Sequence, residues 1–385
     1  MNGMVQKGGA RMTYATQLGI LGGGQLAQML AMAALPLGIR CHIYEPAADA
    51  PAQHVAYHHQ SSYAQHATLK IFAERVAVIT YEFENVPSTA ADYLATLKPI
   101  HPQPKALTIC QDRLFEKQFV TEQGFMTAPF AAVDSTKGVS QSINNIRLPA
   151  IAKTRRMGYD GKGQQRINTL TEAYQVMVDL AGQDIILEGV VNFTRELSII
   201  AVRDAQGHTV RYPLIENHHH QGILRLSLAP APNVHPLIEA QADAMAKLLT
   251  NALDYVGVLT IECFEVMTPN GPTLLINELA PRVHNSGHWS IEGSMTSQFE
   301  NHVRAVCGLP LGPVAPRGIS AMINLIGAIP NPADVPPGTF IHLYHKDARP
   351  GRKVGHLTIV ARNMASLLRK IEECRSLPGV WLPAL

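Results

Sequence analysis

No stretch of this 385-residue chain approaches the roughly 18 consecutive apolar residues of a bilayer-spanning helix. Charge of one sign is equally scarce. A formal net charge of +2 gives no reason to expect a nucleic-acid or anionic-membrane partner. Cysteine occurs only at 41, 110, 263, 307 and 374, dispersed and without a CxxC pair. That odd set predicts reduced thiols and a cytoplasmic protein, with Cys263 and Cys307 in the core. Residues 1–13 lack the apolar segment of a secretory signal and read as a disordered extension. Internal repeats and low-complexity tracts are missing too. What remains is 46% hydrophobic and 16% charged, the balance of a globular chain long enough for two or three domains.

Residues 16–100 alternate strand and helix signals. Strands are predicted at 16–21, 40–44 and 77–80, with a helix at about 25–35, the pattern of a parallel α/β unit. The proline-rich segment 101–104 reads as a linker, followed by one helix over 111–123 that Gly124 stops. Further on, strands are expected at 150–155, 185–187 and 196–202. Helices are expected at 170–181, 235–255 and 297–307, the last two from their apolar period. A proline- and glycine-rich boundary at 311–318 precedes a small module with strands near 319–326 and 355–361 and a helix at 363–374.

Two glycine-rich segments differ in kind. Gly22-Gly23-Gly24-Gln25-Leu26-Ala27 follows a strand and opens a helix, and Glu45 ends the next strand. This fits a dinucleotide fingerprint, although any phosphate ligand, or a purely structural turn, uses the same backbone. Gly158-Tyr159-Asp160-Gly161-Lys162-Gly163-Gln164 instead joins two strand-like runs and lacks Walker A spacing. With Lys153 on the strand before it, a flexible cationic hairpin of this kind suits polyphosphate. Glu188 ends an apolar strand, and such a carboxylate can accept hydrogen bonds from ribose hydroxyls. The tract His218-His219-His220 is a poor chelate, because successive side chains of an extended segment alternate faces. Two further polar clusters stand at 81–87, after a strand end, and at 346–353, where four cations could clamp a phosphate monoester.

Residues 277–289 hold the richest polar mixture. Upstream, a strand-like run carries Glu262, and Thr268-Pro269-Asn270-Gly271-Pro272 signals a hairpin turn. If the turn centres on Asn270, Glu262 and Glu278 are equidistant from it and face each other. Directly opposed like charges are unfavourable. A divalent cation reverses that sign, and magnesium in phosphoryl-transfer sites uses one or two carboxylates plus substrate phosphates. Glu265 has the other parity and is expected on the opposite face.

Six segments carry a family resemblance: GILGGGQLAQM (19–29), TYEFENVP (80–87), KTRRMGYDGKGQ (153–164), YPLIENHHHQGILRLSLAPAP (212–232), NELAPRVHNSGHW (277–289) and RPGRKVGHLT (349–358). In this order they resemble the ATP-grasp superfamily and, within it, the N5-carboxyaminoimidazole ribonucleotide synthetase family of purine biosynthesis. The resemblance implies an ATP-grasp fold of α/β and α+β character. A Rossmann-like preATP-grasp domain would span 14–104, an ATP-grasp domain with a glycine-rich lid 105–312, and a β-rich C-terminal domain 313–385. It also implies a homodimer.

The activity implied is ATP-dependent carboxylation of 5-aminoimidazole ribonucleotide with bicarbonate, through carboxyphosphate. ATP would be contacted by Lys105, Lys153, the loop 158–164, Glu188-Gly189-Val190-Val191, Glu196, His219 and Asn277-Glu278. Glu262 and Glu278 would hold Mg2+. The ribonucleotide would meet Gln25, Leu26, Glu82, Asn285, Lys346, Arg352 and Lys353. Arg282, His284, Asn285, Ser286 and His288 would bring bicarbonate and amine together, with Arg282 as the electrostatic anchor. One departure is that Ala27-Gln28 stands where the family more often has Gly-Arg.

Overall fold

The computed structural model describes residues 15–133, 138–158, 163–180 and 183–384. The expected extension at 1–13 and the loop residues Tyr159, Asp160, Gly161 and Lys162 lie outside them.

Strands β1 (Gln17–Leu21), β2 (Arg40–Tyr44), β3 (Tyr57–His59) and β4 (Val78–Tyr81) pair in the all-parallel order β3-β2-β1-β4. Helices α1 (Gln25–Ala34), α2 (His66–Arg75) and α3 (Ser88–Ala95) connect or flank them. Leu18, Ile20 and Leu21 are completely buried, as a central parallel strand covered on both faces requires. The expected helix over 111–123 is two, α4 (Pro104–Cys110) and α5 (Arg113–Glu122). Asp112 separates them because its side chain accepts the Leu114 N–H at 3.0 Å, an N-cap that ends one helix and starts the next.

A second sheet is antiparallel, ordered β5-β8-β6-β7, from β5 (Phe130–Val133), β6 (Ala150–Thr154), β7 (Gln164–Ile167) and β8 (Ile185–Gly189). Its apolar core includes residues of α6 (Val139–Ile146) and α7 (Leu170–Asp179).

The largest sheet starts with β9 (Arg195–Arg203), β10 (Thr209–Arg211), β11 (Ile215–His220) and β12 (Ile223–Ala229). After α8 (Pro236–Ala252) come β13 (Gly257–Thr268) and β14 (Gly271–Ala280), then α9 (Ser290–Gly293) and α10 (Gln298–Cys307). Finally β15 (Ile319–Ile326), β16 (Thr339–Leu343), β17 (Lys353–Ala361) and α11 (Met364–Glu373) close the chain. The order is β14-β13-β9-β11-β12-β15-β17-β16, with β10 on β9. The C-terminal strands are therefore not a separate sheet. β15 pairs directly with β12, Leu226 opposite Ile323.

The hairpin β13–β14 pairs Glu262 with Glu278, but not for the expected reason. The ladder closes Thr268 on Gly271, so the turn is the two residues Pro269-Asn270. Continued unchanged, that register would set Glu262 opposite Asn277. A β-bulge at Asn277 adds one residue to β14 and restores Glu278 as the partner.

The N-terminal unit is joined to this sheet through a shared core, where α1 packs Leu26, Ala27 and Leu30 in one cluster with Phe299, Val303 and Val306 of α10. A buried polar link accompanies it. His302 Nε2 lies 2.8 Å from the Thr80 hydroxyl, and its Nδ1 accepts the Val258 N–H at 3.1 Å. Burial first, and His101 second, push His302 down to about 3, so it stays neutral. This junction sets the end of β4, and with it Glu82 and Glu84, beside the β13–β14 hairpin.

Candidate active site

Glu262 and Glu278 leave their paired strands on the same face of the sheet, and each has one flank engaged. Glu262 Oε1 is 2.9 Å from His284 Nε2, and Glu278 Oε2 is 3.1 Å from Arg113 Nη1. Burial pushes Glu262 up, but His284 and His219 outweigh it and bring it down to about 2, so the carboxylate is ionised. Two adjacent carboxylates beside the Asn277 amide are hard oxygen donors, the set Mg2+ takes when nucleotide phosphates complete its shell. The two imidazoles that act on Glu262 are both engaged, His284 with Glu262 itself and His219 with Glu196. The donor set therefore fits Mg2+. Glu265 stays out of it, held by Arg195 Nε at 2.6 Å.

Next to this pair lies a crowded cationic cluster. Glu188 Oε2 receives Lys153 Nζ at 2.9 Å and Lys117 Nζ at 3.3 Å. All three side chains are buried, and Glu188 Oε1 has no hydrogen-bond partner among the described residues. Burial opposes the Glu188 charge, yet the two ammonium groups win and hold it ionised. Burial lowers Lys153, and Arg113 and Lys117 lower it further against the pull of Glu188. Two ammonium groups face one carboxylate here, while Arg113 is paired with Glu278. The surplus positive charge and the unpaired Glu188 oxygen together suit a nucleotide, whose phosphates are anionic and whose base and sugar carry donors.

Helix α5 supplies much of this chemistry and was not visible as a functional element. Arg113, Glu116 and Lys117 share one helical face. Burial first, and the neighbouring Glu278 charge second, push Glu116 up to about 8, while the Leu279 N–H pulls it back. Such a group binds a proton in the folded chain that it loses in the unfolded one between its ordinary carboxylate range and about 8. Stability therefore falls as pH rises through that window, by about 1.4 kcal/mol per pH unit. Glu116→Gln is expected to flatten the profile, which urea unfolding at pH 6, 7 and 8 measures.

Arg282 is oriented by Glu84, a member of the polar cluster at 81–87. Glu84 takes Arg282 Nε, and its Oε1 accepts from Nη2 at 3.2 Å, while Arg282 Nη1 donates to the Val283 carbonyl at 3.2 Å. Burial disfavours the guanidinium charge, but Glu84 more than compensates and raises Arg282. Of five guanidinium N–H groups these contacts use three. His284 is set by Gln298, which is completely buried. Gln298 Oε1 accepts the His284 N–H at 3.0 Å and its Nε2 donates to the His284 carbonyl at 2.6 Å. The His284 Nδ1 then meets the Ser286 hydroxyl at 2.8 Å. Asn285 exchanges two hydrogen bonds with buried Asn324, at 3.0 and 2.7 Å.

Not every expected residue converges here. His288 is 1% exposed and lies among Phe299, Tyr344 and His356. Burial drives its pKa well down, so it is a neutral core histidine withdrawn from the opening. Lys105 sits on an exposed face of α4. The three adjacent histidines part as expected. His219 pairs with Glu196, His218 approaches Glu216, and His220 stacks on Trp381. Burial lowers His219, but Glu196 dominates and raises it. Gly189 and Val190 donate their N–H groups to the Pro129 and Pro149 carbonyls, with half-buried Val191 beyond. Gly158 offers its carbonyl to Arg113 Nη2 at 3.3 Å, and Gln164 is the register partner of Lys153.

At the other end, the glycine turn holds a carboxylate of the chain itself. Glu82 accepts the Gly24 N–H and, at 2.9 Å, the Ala27 N–H at the start of α1. A side chain at Gly22 or Gly24 would collide with it. The dinucleotide reading loses its footing here, because Glu82 takes backbone donors that a pyrophosphate would need. Leu26 is buried in the apolar cluster, so its side chain is not presented to solvent. Lys346 donates to Gln25 Oε1, which brings that C-terminal cation to the same turn. Lys353 lies close enough to lower Glu262, and Arg352 stands beside it.

Comparison with known proteins decides among ATP-dependent ligases. Residues 15–111 match the ribonucleotide synthetase preATP-grasp domain, 118–299 the ATP-grasp domain, and 320–370 the phosphoribosylaminoimidazole carboxylase C-terminal domain. The N5-carboxyaminoimidazole ribonucleotide synthase of Pseudomonas aeruginosa is 44% identical over 363 residues, 94% of this chain and 99% of that one. The chain belongs to the N5-carboxyaminoimidazole ribonucleotide synthase family. It is an ATP-dependent ligase of purine biosynthesis that carboxylates 5-aminoimidazole ribonucleotide. A crystal structure of the Thermus thermophilus synthetase, 47% identical, superimposes with a TM-score of 0.90 over 96% of this chain and 100% of its own. The Aspergillus clavatus synthase, solved with ADP and 5-aminoimidazole ribonucleotide, is 28% identical with a TM-score of 0.85, covering 93% of this chain and 97% of its own. Among the described residues no helix is long and apolar enough to cross a membrane.

Proposed function

We propose that this synthase activates bicarbonate with Mg2+-bound ATP and passes the carboxyl group to the ribonucleotide amine across the segment Arg282–Asn285. The observation that carries this is the pair of ammonium groups, Lys153 and Lys117, on the single carboxylate of Glu188 beside the Glu262–Glu278 pair. Such a site holds a polyphosphate and stabilises charge during phosphoryl transfer. Bound Mg2+, held by Glu262 and Glu278, would neutralise charge on the transferring phosphoryl group.

Bicarbonate is a poor electrophile. Its oxygen attacks the γ-phosphorus, the bond to the β-phosphate oxygen breaks, and ADP leaves. In the carboxyphosphate so formed, the carbon–oxygen bond to phosphate breaks as the exocyclic amine forms its N–C bond. The amine proton leaves with the phosphate. Lys153 and Lys117 hold the nucleotide through their charge and through Glu188. Arg282, its fork set by Glu84, has two N–H groups over for the bicarbonate-derived anion. Gln298 and Glu262 fix His284, which lines the same opening. Lys346, which donates to Gln25, with Arg352 and Lys353 on the same C-terminal segment, supplies the cations that match a phosphate monoester. His288 carries no role in this reading. The family resemblance supports a cytoplasmic homodimer.

The test is ADP release from ATP with 5-aminoimidazole ribonucleotide, with bicarbonate present, omitted, or replaced by formate. ADP formation is expected to require bicarbonate. ADP release indifferent to bicarbonate, or supported equally by formate, overturns the carboxylation chemistry.

A further inference from the structure

Helix α5 lies along the hairpin that carries Glu262 and Glu278, at the outer edge of the large sheet. Three polar residues on one face of α5 meet three consecutive residues of β14. Arg113 reaches Glu278, Lys117 Nζ donates to the Asn277 carbonyl at 3.2 Å, and Glu116 Oε1 accepts the Leu279 N–H at 2.6 Å. Those three residues span the bulge that makes Glu278, not Asn277, the partner of Glu262.

A bulge interrupts the ladder, and the backbone groups around it need partners elsewhere. Without a hold, β14 could relax into the plain register of the rest of the hairpin. A one-residue slip sends every side chain to the other face, and Glu278 would turn away from Glu262. Covering a sheet edge requires only apolar contact. Glu116 and Lys117 are 3% and 2% exposed, and burying two ionisable groups is costly for that purpose alone. Lys117 also contacts Glu188 and, at 3.1 Å, the Thr127 hydroxyl, so one helical face joins the nucleotide carboxylate to the metal strand.

We propose that Glu116, with Arg113 and Lys117 beside it, is a positioning residue that holds β14 in its bulged register and thereby sets the affinity for Mg2+ at Glu262 and Glu278. This rests on the Mg2+–ATP reading given above.

The test compares Glu116→Met, which removes the acceptor for Leu279, with Glu116→Gln, which keeps one. ATP affinity is measured by calorimetry in EDTA and across a Mg2+ titration, with thermal melting as the folding control. For Glu116→Met the Mg2+ concentration at half-effect is expected to rise at least about 10-fold, the usual consequence of losing an outer-shell support. Affinity in EDTA is expected to stay unchanged, and Glu116→Gln to follow the wild type. Should Glu116→Met fail to fold, Glu116→Asp, which keeps a carboxylate but draws it back, is expected to show a smaller shift of the same sign. A folded variant with an unchanged Mg2+ response overturns the proposal, as does equal loss of affinity in EDTA and in Mg2+. A wild-type enzyme whose ATP affinity ignores Mg2+ overturns the metal reading instead, and the proposal with it.

Discussion

Glu278→Gln is expected to lower ADP release at least about 100-fold while leaving the fold intact, the scale seen when one charge-stabilising group is removed from a transfer site. Glutamine has the same shape and still offers an oxygen to Arg113. Two electrostatic effects on stability oppose each other. Arg113 loses an ionic partner, and Glu262 loses a like-charged neighbour across the ladder. The net change in melting temperature is therefore small, whereas the loss of a carboxylate proposed to hold Mg2+ has no compensation. The measurement is steady-state ADP release at saturating Mg2+ beside a thermal melt. Activity within a few-fold of wild type would remove Glu278 from the reacting centre.

Arg282→Ala is expected to cost both catalysis and stability. The Arg282–Glu84 pair is about one-fifth exposed at each partner. Removing one member of a largely buried pair leaves an uncompensated charge, with a cost of about 3 kcal/mol once partial solvent access is allowed for. Arg282→Met combined with Glu84→Gln removes both charges and is expected to recover most of that stability, but none of the activity. ATP affinity is expected to persist in both, because the ammonium groups around Glu188 remain. Urea unfolding and nucleotide titration separate these effects. Stability restored together with activity would mean that Arg282 acts only as a structural partner of Glu84.

The alternation of strands and helices was readable from period and turn residues, and so were most long elements, such as α8 and α10. The carboxylate pair was readable too, because two departures from the expected hairpin cancel. The true turn lies half a residue from the expected centre, and the bulge returns the register. Sequence could not show the bulge, because its supports, Glu116 and Lys117, come from a helix about 160 residues away along the chain. The same distance hid α5 as a site element. It is amphipathic like any helix, and only its partners make it functional. Glu84 was quoted within a polar run but stood behind Glu82. The histidines of the 277–289 segment looked equivalent on paper. Packing separates them, His284 onto Glu262 and His288 into a neutral aromatic core.

The glycine-rich turn shows the limit of fingerprints in another way. Its backbone geometry was foreseen, but not its occupant, because a carboxylate from the end of β4 fills the place an external anion would take.

The pairing of β12 with β15 gives the chain a division that its apparent modules do not share. A boundary drawn at the proline-rich segment near 311–318 cuts a covalent linker but also a hydrogen-bonded ladder. Transplanting or trimming the C-terminal piece would leave β12 as a naked margin lined by Leu226 and Leu228, ready to pair with another molecule. Successful exchange between relatives would have to reproduce strand register at that seam. Heritable change in the final fifth of this protein is thus coupled to the middle third by geometry, whatever the freedom of the connecting peptide.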